Sequence, residues 1–375
     1  MANKQADHES ERIAIFLPRF GQGGVERMLI NLAEELGQKG YAIDVLLTGD
    51  KKVPFIDETD TSVNYIRFFS SDVFKLLFSL KSYLKNYTPD ALVSAKLKKG
   101  HTLAVLARNM AKVPTRVYLR IGTHLSRRNK GKIFTKKIRD RVSLRYAARR
   151  AEGVIAVSEG IREDVQRIAG ISDRRVHVVP NPTVSRRIHA LANEPVSHAW
   201  LREKDVPVVL GVGSLRNQKN FSTLIRAFAI LRQSVEARLI ILGEGRQGPK
   251  LRELAAQLSV SDCIDFPGFV HNPYAYMARS DLFVMSSAWE GSPNVLIEAM
   301  ALGTPVVSTD CPSGPSEILH GGKYGSLVPV GDYRKLAEKM RETLENPLSA
   351  NELQEAIKPY GIENSVRKYL EVMNI

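Results

Sequence analysis

Two carboxylates with seven residues between them, Glu290 and Glu298, stand in the stretch WEGSPNVLIEAMA at 289–301. An apolar run at 282–285 precedes it. Pro293 suits the first turn of a helix, and Gly303 would end one. Glu290 then lies in the loop ahead of the helix, and Glu298 about a turn and a half inside it. Amide hydrogens at 292–295 would point out of the helix start, where a phosphate is stabilised. A carboxylate beside that spot can accept hydrogen bonds from vicinal hydroxyls. The same spacing also fits an acidic cap followed by a solvated glutamate, and the pattern alone does not decide between them.

A second stretch, GVGSLRNQKNF at 211–221, ends an apolar strand in Gly213 and then carries Arg216 and Lys219, three residues apart. Arg supplies a planar fork and Lys a point charge, so the two could face one anion. A departing diphosphate needs such neutralisation. Two exposed cations on a loop remain the plainer reading.

These residues need elements to hold them, and the chain alternates strand and helix signals throughout. A buried strand at 12–17 is followed by the glycine-rich loop Gly21-Gln22-Gly23-Gly24, a helix at 25–37 with apolar residues on one side, and a strand at 41–47. Further strands fall near 91–94, 116–121, 154–157 and 176–179. The pattern restarts at 206–213 and continues at 237–242, 263–266, 281–285, 305–308 and 325–328. Two successive α/β series imply two doubly wound parallel sheets, with a ligand at the carboxyl ends of the strands. The segment 182–205, polar and irregular, reads as the linker. The tail, 352–375, reads as helices interrupted by Pro359 and Gly361.

Composition narrows the class. The chain has 375 residues, enough for two cores, and two cysteines, Cys263 and Cys311, which exclude a disulfide scaffold. The first twelve residues are not a secretory signal, and no run approaches the roughly 20 apolar residues of a membrane helix; a cytoplasmic protein is expected. Charge is unevenly spread: residues 1–190 carry a net +16 and 191–375 a net −2. The densest part, 96–150, has 18 basic residues and one acid, Asp140. An anionic partner is implied for the first half. Neither zinc-ligand spacing nor an aromatic RNA platform accompanies it, so nucleic acid is not expected.

The stretches GVGSLRNQKNFSTLIRAF and EGSPNVLIEAMALGTPVV resemble the retaining glycosyltransferases of family 4. So do LILGEGRQGPKLREL, DFPGFV, VVPNP and the opening GQGGVERMLINLAEEL, in matching order over about residues 12–371. The resemblance implies the GT-B architecture, two Rossmann-like domains facing across a cleft. The first, 1–188, would bind the acceptor, the second, 189–359, the nucleotide sugar, with the helix at 360–375 crossing back. It implies that Arg216 and Lys219 hold the donor diphosphate, that Glu298 binds the ribose hydroxyls, and that Glu290 contacts the donor sugar. Asn294, Val295 and Leu296 would form the helix start beside the phosphates, and Phe269 and Val270 would meet the nucleobase. Gly23 and Gly24 would approach the donor phosphates as bare backbone. His124, read as the end of the 116–121 strand, would face the donor sugar, with Arg120 as its rival.

The activity so implied is transfer of a hexose or N-acetylhexosamine, with retention, from a nucleotide sugar, expected to be UDP-linked, to a glycan or lipid-linked glycan of the bacterial cell surface. A nucleotide-sugar epimerase or phosphorylase on the same fold is the alternative. No Asp-x-Asp pair occurs in the sequence, so no metal and no other cofactor is expected. The cations of 127–150 interleave with Ile133, Phe134, Ile138, Val142, Leu144 and Tyr146. Such a surface suits an anionic membrane interface and a peripheral location on its inner face.

Overall fold

The computed structural model describes residues 10–17, 24–48, 61–70, 72–95, 100–128 and 134–375. They form two compact units, one of residues up to 157 with 161–182 and 362–375, the other of 158–160 and 183–361.

The first unit opens with β1 (Arg12–Leu17), α1 (Gly24–Gln38), β2 (Ala42–Thr48), β3 (Val63–Phe68), α2 (Val73–Tyr87) and β4 (Ala91–Ser94). It continues with α3 (Gly100–Ala111), β5 (Arg116–Ile121), α4 (Leu125–Arg128), α5 (Phe134–Arg150), β6 (Gly153–Ala156), α6 (Glu159–Ala169) and β7 (Val176–Val178). The strands run parallel in the order β3-β2-β1-β4-β5-β6-β7. Apolar residues cover both faces, as a parallel sheet requires. Leu76, Leu80, Leu103, Ala104, Leu144 and Ala147 of α2, α3 and α5 pack on one face. Met28, Leu29, Leu32 and Leu36 of α1 pack on the other.

β3 was not expected from the sequence. It lies at the sheet edge, and beyond Val63 its side chains are only partly buried or exposed, so it lacks the continuous apolar run that marks the central strands. Asp44 of β2 is buried at 0% exposure, yet accepts from Arg12 Nη1 at 3.0 Å, Asn64 Nδ2 at 2.9 Å and Tyr83 Oη at 2.5 Å. Three donors replace the lost water, which is the condition for burying a carboxylate.

The second unit begins with α7 (Arg186–Ala192) and α8 (Ala199–Arg202). Both lie in the stretch expected to be an irregular linker. Ile188, Ala192, Val196 and Leu201 from this stretch are instead buried in the second unit's core. Then follow β8 (Val208–Val212), α9 (Phe221–Leu231), β9 (Arg238–Leu242), α10 (Gly248–Gln257), β10 (Ile264–Gly268) and α11 (Tyr274–Met277). The unit closes with β11 (Leu282–Met285), α12 (Asn294–Ala301), β12 (Val306–Thr309), α13 (Pro315–Ile318), β13 (Ser326–Val328), α14 (Tyr333–Glu345) and α15 (Ala350–Ala356). Its parallel sheet has the order β10-β9-β8-β11-β12-β13. In both sheets the strand order reverses beside the first strand, where doubly wound folds bind ligands at the carboxyl edge.

The last helix, α16 (Ile362–Met373), rejoins the first unit, where Val366, Tyr369 and Met373 are buried with α1. Arg116 Nη1 donates to Met373 O, and Arg120 Nε donates to Tyr369 Oη at 3.1 Å.

Candidate functional site

In the second unit the cation loop and the acidic loop are stitched together. Lys219 Nζ donates to Glu290 Oε1 at 2.6 Å, and Ser287 Oγ donates to the same oxygen at 2.7 Å. Gln218 Nε2 reaches Trp289 O at 3.0 Å and Glu290 Oε2 at 3.3 Å. Backbone and hydroxyl bonds from Ala288 N to Gln218 O and from Ser286 Oγ to Lys219 O complete the seam. Glu290 is 7% exposed, so its charge is held by this ammonium and these dipoles rather than by water. Arg216 is exposed on the same loop and makes no ion pair among the described residues.

The approach depends on glycine. Gly213 follows β8 with φ +155°, and a Cβ there would sit 2.9 Å from Lys219 Cε. Gly243 follows β9 with φ +133°, and its Cβ would fall 2.1 Å from Gly213 O. The bare backbones let the two strand ends close up, with Gly213 N bonded to Leu242 O at 2.9 Å and Leu215 N to Glu244 O at 2.8 Å.

Pro293 caps α12, and Gly303, at φ +78°, follows it. Glu298 is 6% exposed and accepts from Tyr274 Oη at 3.3 Å. Asn294 Oδ1 accepts from Thr183 Oγ1 at 3.4 Å. Val295 is half-buried at the helix start. Leu296 has its side chain in the core, 0% exposed, and its amide donates to Pro293 O at 3.1 Å. It supports the helix; Asn294 is itself buried at 9% exposure, and Val295 is the more open of the two positions before it. Phe269 and Val270 follow β10; the Phe269 ring meets His271 edge-on at 5.2 Å, and Val270 leans on the core. Cys311, after β12, is buried, and burial with the nearby Glu290 charge pushes its thiol far up, so it stays neutral.

In the first unit, Gly24 opens α1, and Gly23 lies outside the described residues, as do Gly21, Gln22 and Ile133. His124 does not end β5; it stands three residues beyond it, just ahead of α4, and is 9% exposed. Its Nδ1 lies 3.2 Å from Asp164 Oδ2, an ion-pair distance but poorly aligned for a hydrogen bond. Asp164 also accepts from Leu125 N at 2.6 Å, from Ser126 N and Oγ, and from Arg167 Nη2 at 2.9 Å. Burial pushes its carboxyl up, but His124 and these donors outweigh that and hold it well below the usual range. Arg120 is 1% exposed, with Nη2 on Asn181 Oδ1 at 2.6 Å and Nε on Tyr369. Two of its three guanidinium nitrogens are thus engaged inside the unit, and both rivals are buried, His124 at 9% exposure and Arg120 at 1%.

The sequence reading passed over His101, the second residue of α3. It is 2% exposed, with Nδ1 at 2.9 Å from Ser94 Oγ and a buried Nε2 that has no partner among the described residues. Burial, aided by Arg120, lowers its pKa to about 4. The unfolded chain, with a histidine near 6.5, takes up this proton first. Stability is therefore expected to fall as pH drops from about 6.5 to about 4, by about 3 kcal/mol in all. Urea midpoints across that range should flatten in His101→Gln; an unchanged slope would show the proton goes elsewhere.

Residues 22–187 match the family model described as glycosyltransferase family 4, and residues 194–364 the model described as glycosyl transferases group 1. Among curated relatives is the N-acetylgalactosamine-N,N'-diacetylbacillosaminyl-diphospho-undecaprenol 4-alpha-N-acetylgalactosaminyltransferase of Campylobacter jejuni. It is 29% identical, over 90% of this chain and 91% of its own length. The lipopolysaccharide core biosynthesis glycosyltransferase LpsE of Rhizobium meliloti is 27% identical over 93% of each chain. Among solved structures, HepE of Anabaena in complex with UDP shares the fold with a TM-score of 0.78 at 20% identity, over 97% of this chain and 99% of that one. The apo galactosyltransferase WaaB aligns with a TM-score of 0.72 at 19% identity, over 97% and 99%. With the two models leaving only the ends and residues 188–193 unmatched, and two Rossmann-like sheets behind them, the chain belongs to the family 4, group 1 glycosyltransferases and is an enzyme of the GT-B fold.

Proposed function

We propose that the enzyme transfers a hexose or N-acetylhexosamine, with retention, from a UDP-sugar to a glycan or lipid-linked glycan acceptor in bacterial cell-surface polysaccharide, lipopolysaccharide or glycoprotein assembly. The observation that carries this reading is the Lys219–Glu290 pair, 2.6 Å long and mostly buried. It places a fixed cation and a fixed carboxylate side by side at the carboxyl edge of a nucleotide-binding type of sheet. The Campylobacter relative is named for an undecaprenol-diphosphate-linked acceptor, and HepE was solved with UDP, which supports the lipid-linked acceptor and the UDP donor.

In this reading Arg216, Lys219 and the start of α12 at Asn294 and Val295 meet the diphosphate charge that grows as the anomeric bond breaks. Gly213, Gly23 and Gly24 give it room. Glu298 takes the ribose hydroxyls, Phe269 and Val270 the base, and Glu290 the sugar, with His124 on a sugar hydroxyl. With no carboxylate assigned as nucleophile, retention calls for transfer on the front face, the leaving phosphate taking the acceptor's proton. Lys219 and Arg216 supply the charge that a metal would otherwise bring. The first half docks on the anionic inner face of the membrane that carries the acceptor, as a peripheral protein; among the described residues no helix is long and apolar enough to cross it.

Thermal-shift measurements test the donor assignment. UDP-sugars should raise the melting temperature by mass action while GDP- and ADP-sugars leave it unchanged. Turnover should survive EDTA; loss restored by Mg²⁺ would overturn the metal-free chemistry.

A further inference from the structure

The seventeen residues of α5 pack only by their second half. Leu144, Ala147 and Ala148 are buried, whereas 135–139, 141 and 142 are exposed and Asp140 is half-buried. The reason is length. In an α/β unit the helix runs back along the sheet to feed the next strand, and α5 ends three residues before β6. At 1.5 Å per residue α5 extends about 25 Å, against about 13 Å for the four-residue β6, so its first turns overhang the carboxyl edge of the sheet. Ile138 and Val142, four residues apart, sit on this overhang with 45% and 60% of their surface exposed.

The start of α2 lies at the same edge. Its inner side is filled by Leu76, Leu80, Tyr83 and Leu84. Its outer side carries Phe74 and Phe78, 73% and 56% exposed, and Phe69, 83% exposed, follows the end of β3 just before it. α3 packs against both α2 and α5, so the two apolar rows flank one helix in one layer. Three phenylalanines left in water at one edge are unlike scattered surface apolar residues.

The cations divide by position. At the far end of α5 they are engaged: Arg108 donates to Arg150 O at 2.9 Å, and Arg175 donates to Arg149 O and Ala151 O, capping the helix terminus. At the overhanging end Lys136 and Lys137, and Lys75 on α2, make no ion pair among the described residues. Free positive charge and exposed rings thus collect at the carboxyl edge of the sheet.

We infer that this edge is a bilayer-inserting surface: Phe69, Phe74 and Phe78 of the α2 start and Ile138 and Val142 of α5 enter the acyl boundary of an anionic membrane, while Lys75, Lys136 and Lys137 hold its headgroups. An acidic protein would match the lysines but leave the rings without an apolar partner; an anionic bilayer satisfies both. The inference rests on the proposed lipid-borne acceptor, and goes beyond it by placing insertion on two helix starts rather than on charge along 127–150.

The test is sedimentation of the full-length enzyme with vesicles of equal parts phosphatidylglycerol and phosphatidylcholine, at physiological and at high salt. The wild type should bind at both, more weakly at high salt. Phe74→Ser/Phe78→Ser should lower partitioning at least about tenfold, the scale expected when two buried aromatic side chains are withdrawn. Lys136→Glu/Lys137→Glu should lower it most at physiological salt. Both pairs are exposed, so melting temperature and its shift by UDP should stay at wild-type values; a variant that keeps the UDP shift but loses vesicles separates this surface from the donor site. Absence of binding at both salts, or a phenylalanine variant that binds like the wild type, overturns insertion. A change of oligomeric state in the phenylalanine variant on size exclusion would instead make the edge an interface between copies of this chain, and would also overturn it.

Discussion

Lys219→Ala is expected to slow turnover about 10²–10³-fold, the range seen when one fixed donor to a developing charge is removed. Lys219 rather than Arg216 should show the larger loss. Its ammonium is held in place, 17% exposed, by Glu290 and by a stem that lies directly under Gly213, whereas Arg216 is exposed and must be ordered when the donor binds. A pre-placed charge costs no reorganisation at the moment the bond breaks. The Lys219→Ala/Glu290→Ala double variant distinguishes roles. If the pair acts as one unit, the double loss falls well short of the product of the single losses. Near-wild-type turnover in both Lys219→Ala and Arg216→Ala would remove the diphosphate assignment.

Gly243→Ala is expected to cost about 2–4 kcal/mol, or about 5–15 °C in melting temperature for a unit of this size, and to abolish the UDP shift. Two penalties add there. The φ of +133° disfavours any side chain, and the new Cβ would stand 2.1 Å from Gly213 O, a backbone atom that cannot swing aside. Relief would require the loop that carries Arg216 and Lys219 to move off β9. Gly331, at φ +88° with nothing within 4 Å of its would-be Cβ among the described residues, is the control. There only the dihedral cost applies, and Gly331→Ala should lose about 1 kcal/mol and keep the UDP shift. Equal losses at the two positions would show that the close strand approach does not matter.

The central strands were legible because each is a short apolar run, buried on both faces, and β4 and β5 match the expected bounds residue for residue. α12 was legible from Pro293 and Gly303, whose backbone preferences mark helix ends locally. α7 and α8 were not. They are seven and four residues long, too short to hold themselves, and they form because Ile188, Ala192 and Leu201 reach a core made elsewhere in the chain. The pairing of Lys219 with Glu290 was equally hidden, since 71 positions separate them and only the neighbouring ends of β8 and β11 bring them together. Asp164 and His101 went unread for a related reason. Each looks like an ordinary polar residue of a helix, and only burial gives it its character.

The return of α16 to the first unit has a consequence for synthesis. The stretch 183–361 is continuous and is synthesised before the last helix. The unit begun first cannot be finished until the closing residues emerge, because Arg120 waits for Tyr369 and Arg116 for Met373. The earlier-made half therefore stays open along the side that α16 will seal until that helix is available, and a chain truncated before residue 362 would carry a basic, partly uncovered sheet.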